Sequence, residues 1–358
     1  MSSNTFFRNS LNWKILSTLS IALVIMAVMV LPAQAKDKVY RLKIQSAFPR
    51  GDVSVPLLDV FAKSAEERSN GRLKIKWYAA PEIVPSEQLL DSVKMGVLDM
   101  MHMVGAYWAG TMPVGDVEFG LPMSYNMPWL TGYTAKAQGL RDLYFKEGLI
   151  EVMREAYAKE GHYYLGMFTP GPVVVLSTHP VKTIEDWQGK KVRADGMNMM
   201  YYETAGAKAT TIPGTDTYLS LKLGAIDMAE WDISAMTGLN WHEVAPYWVT
   251  GMESYLTMGI TINLKKWNKL PEDLKEALRG AEQDYYNATL KMYANEFQTV
   301  QKLIDEKKVI VSELAPPAKA FFKGQSEKFM DDQAAKDEDC ANAVAVIKQW
   351  ISKNTDGK

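Results

Sequence analysis

The sequence predicts an α/β protein built from two similar lobes. Three observations carry that expectation. Strand-like and helix-like patterns alternate from residue 40 onward. A helix–Gly–strand unit occurs twice, and two long strand-like runs join the halves that contain the copies. Strand, helix, strand, helix, strand is the signature of a mostly parallel α/β sheet.

The elements follow in chain order. "YRLKIQSA" (40–47) alternates polar and apolar residues, as a half-buried strand does. "VSVPLLDVFAKSAEERS" has helical periodicity and stops at Asn70-Gly71. "RLKIKWY" (72–78) alternates again, "PSEQLLDSVKMG" reads as a helix from about Ser86 to Gly96, and "VLDMMHMV" (97–104) reads as a buried strand. The run "GHYYLGMFTPGPVVVLST" (161–178) is strand-like but interrupted by Pro170-Gly171-Pro172. Proline removes ladder donors, so a break or a crossing between sheets is expected there. Thr183 and Asp186 have capping-box spacing for a short helix, Gly189 ends it, and a strand carrying Arg193 follows. Arg193 succeeds the apolar Val192, so the two should face opposite sides of a sheet. "SYLTMGITINLKKW" (254–267) is the candidate return crossing. Residues 271–308 read as one long helix opened by Pro271 and weakened at Gly280. The tail to Trp350 looks helical, with Phe321, Phe322 and Phe329 as core or dimer contacts.

The repeat is "LDSVKMGVLDMMHM" (90–103) against "YLSLKLGAIDMAEW" (218–231), matching Lys94, Gly96, Asp99 and Met100 to Lys222, Gly224, Asp227 and Met228. Ligands of open α/β sheets bind outside the carboxyl ends of the strands. The repeat therefore places His102 and Met103 of one lobe, and Glu230 and Trp231 of the other, beside a cleft. Phe48, at the end of the first strand, is a candidate for its mouth.

Composition narrows the function class. Residues 1–35 join Arg8 and Lys14 to an apolar run and end in "AQA", the pattern of a secretory signal peptide, with an uncleaved membrane anchor as the alternative. Losing that segment leaves 38 basic residues of the 40 against all 42 acidic ones, a formal charge of −4. That charge gives no reason to expect a nucleic-acid partner. Cys340 is the only cysteine, so no internal disulfide can form, and the four histidines show no zinc-ligand spacing. G-x-S-x-G, P-loop and G-x-G-x-x-G motifs are missing, so no enzyme is expected.

Four stretches, in this order and spacing, resemble the extracytoplasmic solute-binding proteins of TRAP transporters (the DctP type): "SNGRLKIKWYAAPEIVPSEQLLDSVKMGVLDM", "VKTIEDWQGKKVRADG", "YLSLKLGAIDMAEW" and "TINLKKWNKLPEDLKEAL". "GAYWAG", "LPMSYNMPWL" and Glu230-Trp231 look most like the subgroup that binds 2-oxo and 2-hydroxy monocarboxylates with a metal ion. The resemblance implies a periplasmic clamshell with mixed sheets, inter-lobe crossing strands and a long helix spanning both lobes. It divides the chain into lobe I (36–168 plus about 257–295), lobe II (169–256 plus about 296–315) and a helical tail (316–358).

By the family pattern Arg193 pairs with the ligand carboxylate, and its fork of donors suits that task. Tyr107 and Trp108 reach the pocket. Glu230 and Trp231 serve the ligand and a bound cation, calcium or sodium, with Glu253 as a further metal ligand. Pro172 stands where that subgroup has a metal-binding Gln, and a proline offers no side-chain ligand. The implied partners are a small organic acid and the small and large integral membrane subunits of a TRAP permease. The residues leave open an aromatic or bulkier acid or a neutral polar solute without metal, a sensory receptor, an exported enzyme on the same scaffold, and a monomer or a dimer.

Overall fold

A computed structural model describes residues 38–355, so the expected signal peptide, 1–35, lies outside the described residues. The first half contains β1 (Tyr40–Pro49), α1 (Leu58–Arg68), β2 (Leu73–Ala80), α2 (Leu89–Met95), β3 (Met100–Met103), α3 (Val114–Phe119), α4 (Tyr133–Phe145), α5 (Leu149–Lys159) and β4 (His162–Pro172). There follow β5 (Val174–Ser177), β6 (Lys191–Arg193), α6 (Met197–Glu203), β7 (Lys208–Thr210), α7 (Gly214–Lys222), β8 (Met228–Trp231), α8 (Ser234–Thr237) and β9 (Tyr247–Thr250). The chain closes with β10 (Tyr255–Asn263), α9 (Leu264–Lys269), α10 (Glu272–Asp305), β11 (Ile310–Glu313), α11 (Pro316–Ala334) and α12 (Glu338–Thr355).

Two mixed sheets organise these elements. The first has the order β2-β1-β3-β10-β4 and the second β11-β9-β5-β8-β6-β7. In the first, β1, β2 and β3 are parallel, while β10 runs antiparallel between β3 and β4. In the second, β6 is parallel to β7 and β8, and β5 is antiparallel to β8 and β9.

The repeated unit has the same construction in both sheets. Each helix ends at a glycine with positive φ, 82° at Gly96 and 70° at Gly224, a conformation glycine adopts without a Cβ penalty. The matched Asp then fastens its strand to the parallel neighbour twice. Asp99 N donates to Lys43 O at 3.0 Å, and its carboxylate accepts from Lys43 N at 2.6 Å. Asp227 does the same with Lys191, at 2.9 and 2.8 Å.

The two crossings lie side by side. β4 finishes in the first sheet at Pro172 and β5 opens the second at Val174; the intervening Val173 N donates at 2.7 Å to Ser254 O, on the return path from β9 to β10. The crossing expected at Pro170-Gly171-Pro172 falls directly after Pro172. The strand continues to Pro172, accommodating the prolines through a register shift opposite Leu256/Met258 and a φ of 99° at Gly171. Residues 97–99 precede β3 as a turn, so that strand is shorter than expected. The capping-box residues 183–186 enclose a single 3₁₀ turn, Glu185–Trp187, with Asp186 accepting from Thr183 N at 2.9 Å.

α10 packs on α1 and β4 of the first lobe and reaches α8, the short helix after β8. Gly280 does not break it. A methyl there would lie 2.7 Å from the Arg68 guanidinium, so the glycine makes room for that side chain. Phe322 and Phe329 are buried in the core, and Phe322 packs against Trp187 and Tyr201 with ring centroids 5.4 and 5.0 Å apart. α12 lies against α5 and α3.

Candidate functional site

The strand ends of both lobes converge on a small cavity of about 30 Å³. Arg193 is the last residue of β6 and is only 2% exposed, although its neighbour Val192 is buried too, because this sheet is covered on both faces. Three of the guanidinium's five N–H groups are fixed. Nε donates to Ile212 O at 2.9 Å, Nη1 to Glu230 O at 3.1 Å and Nη2 to Asp195 Oδ2 at 2.5 Å. The guanidinium carbon lies 4.8 Å from the Trp231 ring centroid. Burial would pull the Arg193 pKa down, but Asp195, Tyr107 and Glu230 outweigh it and the group is held charged.

Trp231 forms a wall. α7 starts on its face, and a methyl at Gly214 would stand 2.8 Å from the ring, so glycine is required for that approach. Phe48 meets Trp231 edge to face at 6.5 Å. Tyr107 lines the cavity beside Arg193 and Asp195, and burial followed by the Asp195 charge raises its hydroxyl pKa. Arg193, Tyr107, Asp195 and Trp231 also border a larger cleft of about 670 Å³.

The structure therefore brings Arg193, Glu230, Trp231, Tyr107 and Phe48 to one cavity. It does not bring Trp108 there. That indole turns away and donates to Glu87 O at 2.8 Å. His102 and Met103 also lie off the cavity wall; His102 is buried between Ser46 Oγ at 2.9 Å and the Tyr285 hydroxyl at 2.8 Å, and burial lowers its pKa to about 3. Glu253 lines neither cavity nor cleft, and its carboxylate folds back to accept from Gly251 N at 2.8 Å.

The structure does not bring Glu253 to Glu230, so the expected pair of metal ligands is not assembled. Both Glu230 oxygens already accept hydrogen bonds, Oε1 from Asp195 N and Oε2 from the Tyr202 hydroxyl, each at 2.8 Å. Glu230 acts here as the brace of the turn that follows Arg193. Among the described residues no group of three or more His, Cys, Asp or Glu side chains is arranged to hold a metal ion.

Sequence reasoning missed Asp195 and Asp232, and the apolar wall of Val104, Phe119, Val173, Leu256 and Met258. A signal for Asp195 existed: two residues beyond Arg193, it falls on the same side of an extended chain. Leu256 and Met258 are both buried in β10, and only the non-local insertion of that strand brings them here.

The turn that carries Tyr107 rests on a buried carboxylate. Glu118 accepts from Gly105 N at 2.8 Å, Tyr164 at 2.8 Å and Tyr157 at 3.1 Å. A methyl at Gly105 would stand 2.8 Å from Gly115 Cα, backbone against backbone. Gly105→Ala is expected to lose about 1–3 kcal/mol in urea unfolding, as overpacked sites do. Burial also raises the Glu118 pKa to about 8, and that of Glu230 to about 7. A folded-state pKa above the unfolded value means the native protein keeps its proton longer. The stability from these groups is complete below about pH 4.5 and is lost as pH rises toward 8. The buried histidines, with lowered pKa, act only below pH 6.5. Glu118→Gln should therefore flatten the decline in Tm between pH 6.5 and 8 in a thermal melt series.

Two mixed α/β lobes enclosing a cavity with a buried, charged arginine define a small-molecule receptor of the periplasmic-binding-protein architecture. The family model described as bacterial extracellular solute-binding protein, family 7 (DctP), matches residues 45–337. The chain belongs to this family, the solute-binding proteins of TRAP transporters, which are receptors and not enzymes. The monocarboxylate 2-oxoacid-binding periplasmic protein of Nostoc sp. is 28% identical over 249 residues, an alignment that spans 67% of this chain and 65% of that one. A TRAP periplasmic solute-binding protein from Pseudoalteromonas atlantica, solved with bound sodium and pyruvate, superposes with a TM-score of 0.77 at 24% identity, covering 89% of this chain and 98% of the other. One from Colwellia psychrerythraea, with bound calcium and pyruvate, gives 0.77 at 23%, with the same coverage.

Proposed function

We propose that this protein is a periplasmic receptor that captures a small organic acid, with the ligand carboxylate on Arg193, and passes it to the small and large membrane subunits of a TRAP permease. The observation that carries the reading is the buried, charged guanidinium at the cavity wall beside the Tyr107 hydroxyl, its fork held by Ile212 O, Glu230 O and Asp195. Charge-assisted bonds to a carboxylate are strong where water is excluded. Trp231, Phe48 and the aliphatic wall exclude it. Asp195 keeps Arg193 charged and aimed while the cavity is empty of ligand. The Nostoc relative's name and the pyruvate in the two similar structures support a monocarboxylate.

Capture at micromolar to nanomolar Kd requires about −8 to −12 kcal/mol. Mass spectrometry of the ligand that co-purifies with the protein tests the reading directly. A small carboxylic acid is expected. A thermal-shift screen of organic acids, run with calcium and with EDTA, should show stabilisation by carboxylic acids, and the EDTA arm reads whether a cation takes part. Stabilisation by neutral solutes alone would sink the proposal.

A further inference from the structure

Two short turns, one from each lobe, meet near the cavity. Asp52-Val53-Ser54 follows β1, and Asp232-Ile233-Ser234 follows β8. In each, the aspartate Oδ1 accepts from the serine N–H two residues on, at 2.9 Å for Asp52 and 2.7 Å for Asp232. The turns are in contact: a methyl at Gly238 would stand 2.7 Å from Gly51 O and 3.1 Å from the Val53 side chain. Asp52 is 1% exposed and Asp232 2%, and the second oxygen of each, Oδ2, has no hydrogen-bond partner. The fully buried Ser234 hydroxyl has none either. Asp232 lines the same cavity as Arg193.

Positive charge is what this spot lacks. Arg193 is paired with Asp195, and among the described residues neither Asp52 nor Asp232 has an ion pair. The other polar groups near the two carboxylates are acidic or neutral: Glu296 and Tyr293 of α10, and the Trp231 indole beside Asp52. Two like charges buried together are costly: burial raises both pKa values, and at Asp232 the Asp52 charge adds to it. An alkylammonium brings one positive charge and three N–H donors. The open acceptor at the cavity wall is Asp232 Oδ2; Asp52 borders neither cavity nor cleft and contributes its charge from beyond the wall. A calcium ion would need six to eight oxygens.

We propose that the ligand is an aminocarboxylate, its carboxylate on Arg193 and its ammonium on Asp232, whose negative charge the nearby Asp52 reinforces. The inference rests on the carboxylate reading of Arg193 given above. It also couples ligand to closure, since the ammonium removes a repulsion between turns of opposite lobes.

The test is calorimetry on the mature protein, freed of bound ligand by unfolding and refolding. The probes are straight-chain carboxylates of two to six carbons, each paired with its amino-substituted forms. At least one amino form should bind ten-fold or more tightly than its unsubstituted partner. Asp232→Asn, which keeps the acceptor for Ser234 N, should bring that ratio to about one, and Asp52→Asn should lower it. Both variants should raise the Tm of the ligand-free protein, which shows that they fold. If no amino form outbinds its partner, or if the ratio survives Asp232→Asn, the inference is wrong. The carboxylate reading fails separately, if Arg193→Ala leaves binding of both members of a pair intact.

Discussion

Arg193→Ala is expected to weaken capture of the carboxylate ligand by about 2–5 kcal/mol, roughly 30- to 4,000-fold in Kd. The size follows from burial. The guanidinium is 2% exposed, so water cannot replace it, and the ligand carboxylate would meet Asp195 and Glu230 without their counter-charge. Arg193→Lys keeps a charge but loses the fork that binds Ile212 O, Glu230 O and Asp195 together, so it should recover only part of the loss. Calorimetry with the co-purified acid reads both variants. Wild-type affinity in the alanine variant would remove the arginine from the mechanism. Its melting curve matters too, because removing Arg193 leaves the buried Asp195 without its partner.

The largest stability effect is expected at Glu282→Ala, about 3–5 kcal/mol, because it strands a buried arginine. Arg141 on α4 holds Glu282 on α10 through two parallel bonds of 2.5 and 2.7 Å, both side chains less than a tenth exposed. Arg141 also donates to Met167 O and Gln283 Oε1, each at 2.9 Å, and lies 4.0 and 4.5 Å from the rings of Phe145 and Tyr286. Gly166 leaves the space that the Glu282 carboxylate fills. Urea unfolding measures the loss. The double variant Arg141→Met/Glu282→Leu should regain most of it, since apolar replacement of a buried pair is often neutral or better. A double variant as unstable as the single would show that the ion pair is irreplaceable at this site.

The repeat was legible because it is local: Gly96 and Gly224 stop helices, and Asp99 and Asp227 tie the next strands, all within short windows of sequence. Trp231 and Phe48 were legible as strand-end residues, and Arg193 through the family resemblance. Trp108 was not, because the single 3₁₀ turn of Gly105–Trp108 gives no periodicity from which to choose which ring faces the cavity. Glu253 sits in a turn whose side-chain direction is set by Gly251 N. Asp52 and Asp232 are far apart in sequence and meet only through lobe packing. β11 was hidden because "IVSE" is too short and too exposed to alternate clearly.

The strand order of the first sheet sets a timetable for folding. β10 lies between β3 and β4, so a strand that ends at residue 103 waits for one that begins at residue 255. Until then β3 and β4 each present a bare edge, buried and apolar in the finished protein. Non-local pairing of this kind slows folding, and bare edges recruit strands from other chains. A nascent or truncated chain that stops short of Tyr255 is therefore an aggregation hazard, and solubility should rise sharply once a series of C-terminal truncations grows past Asn263.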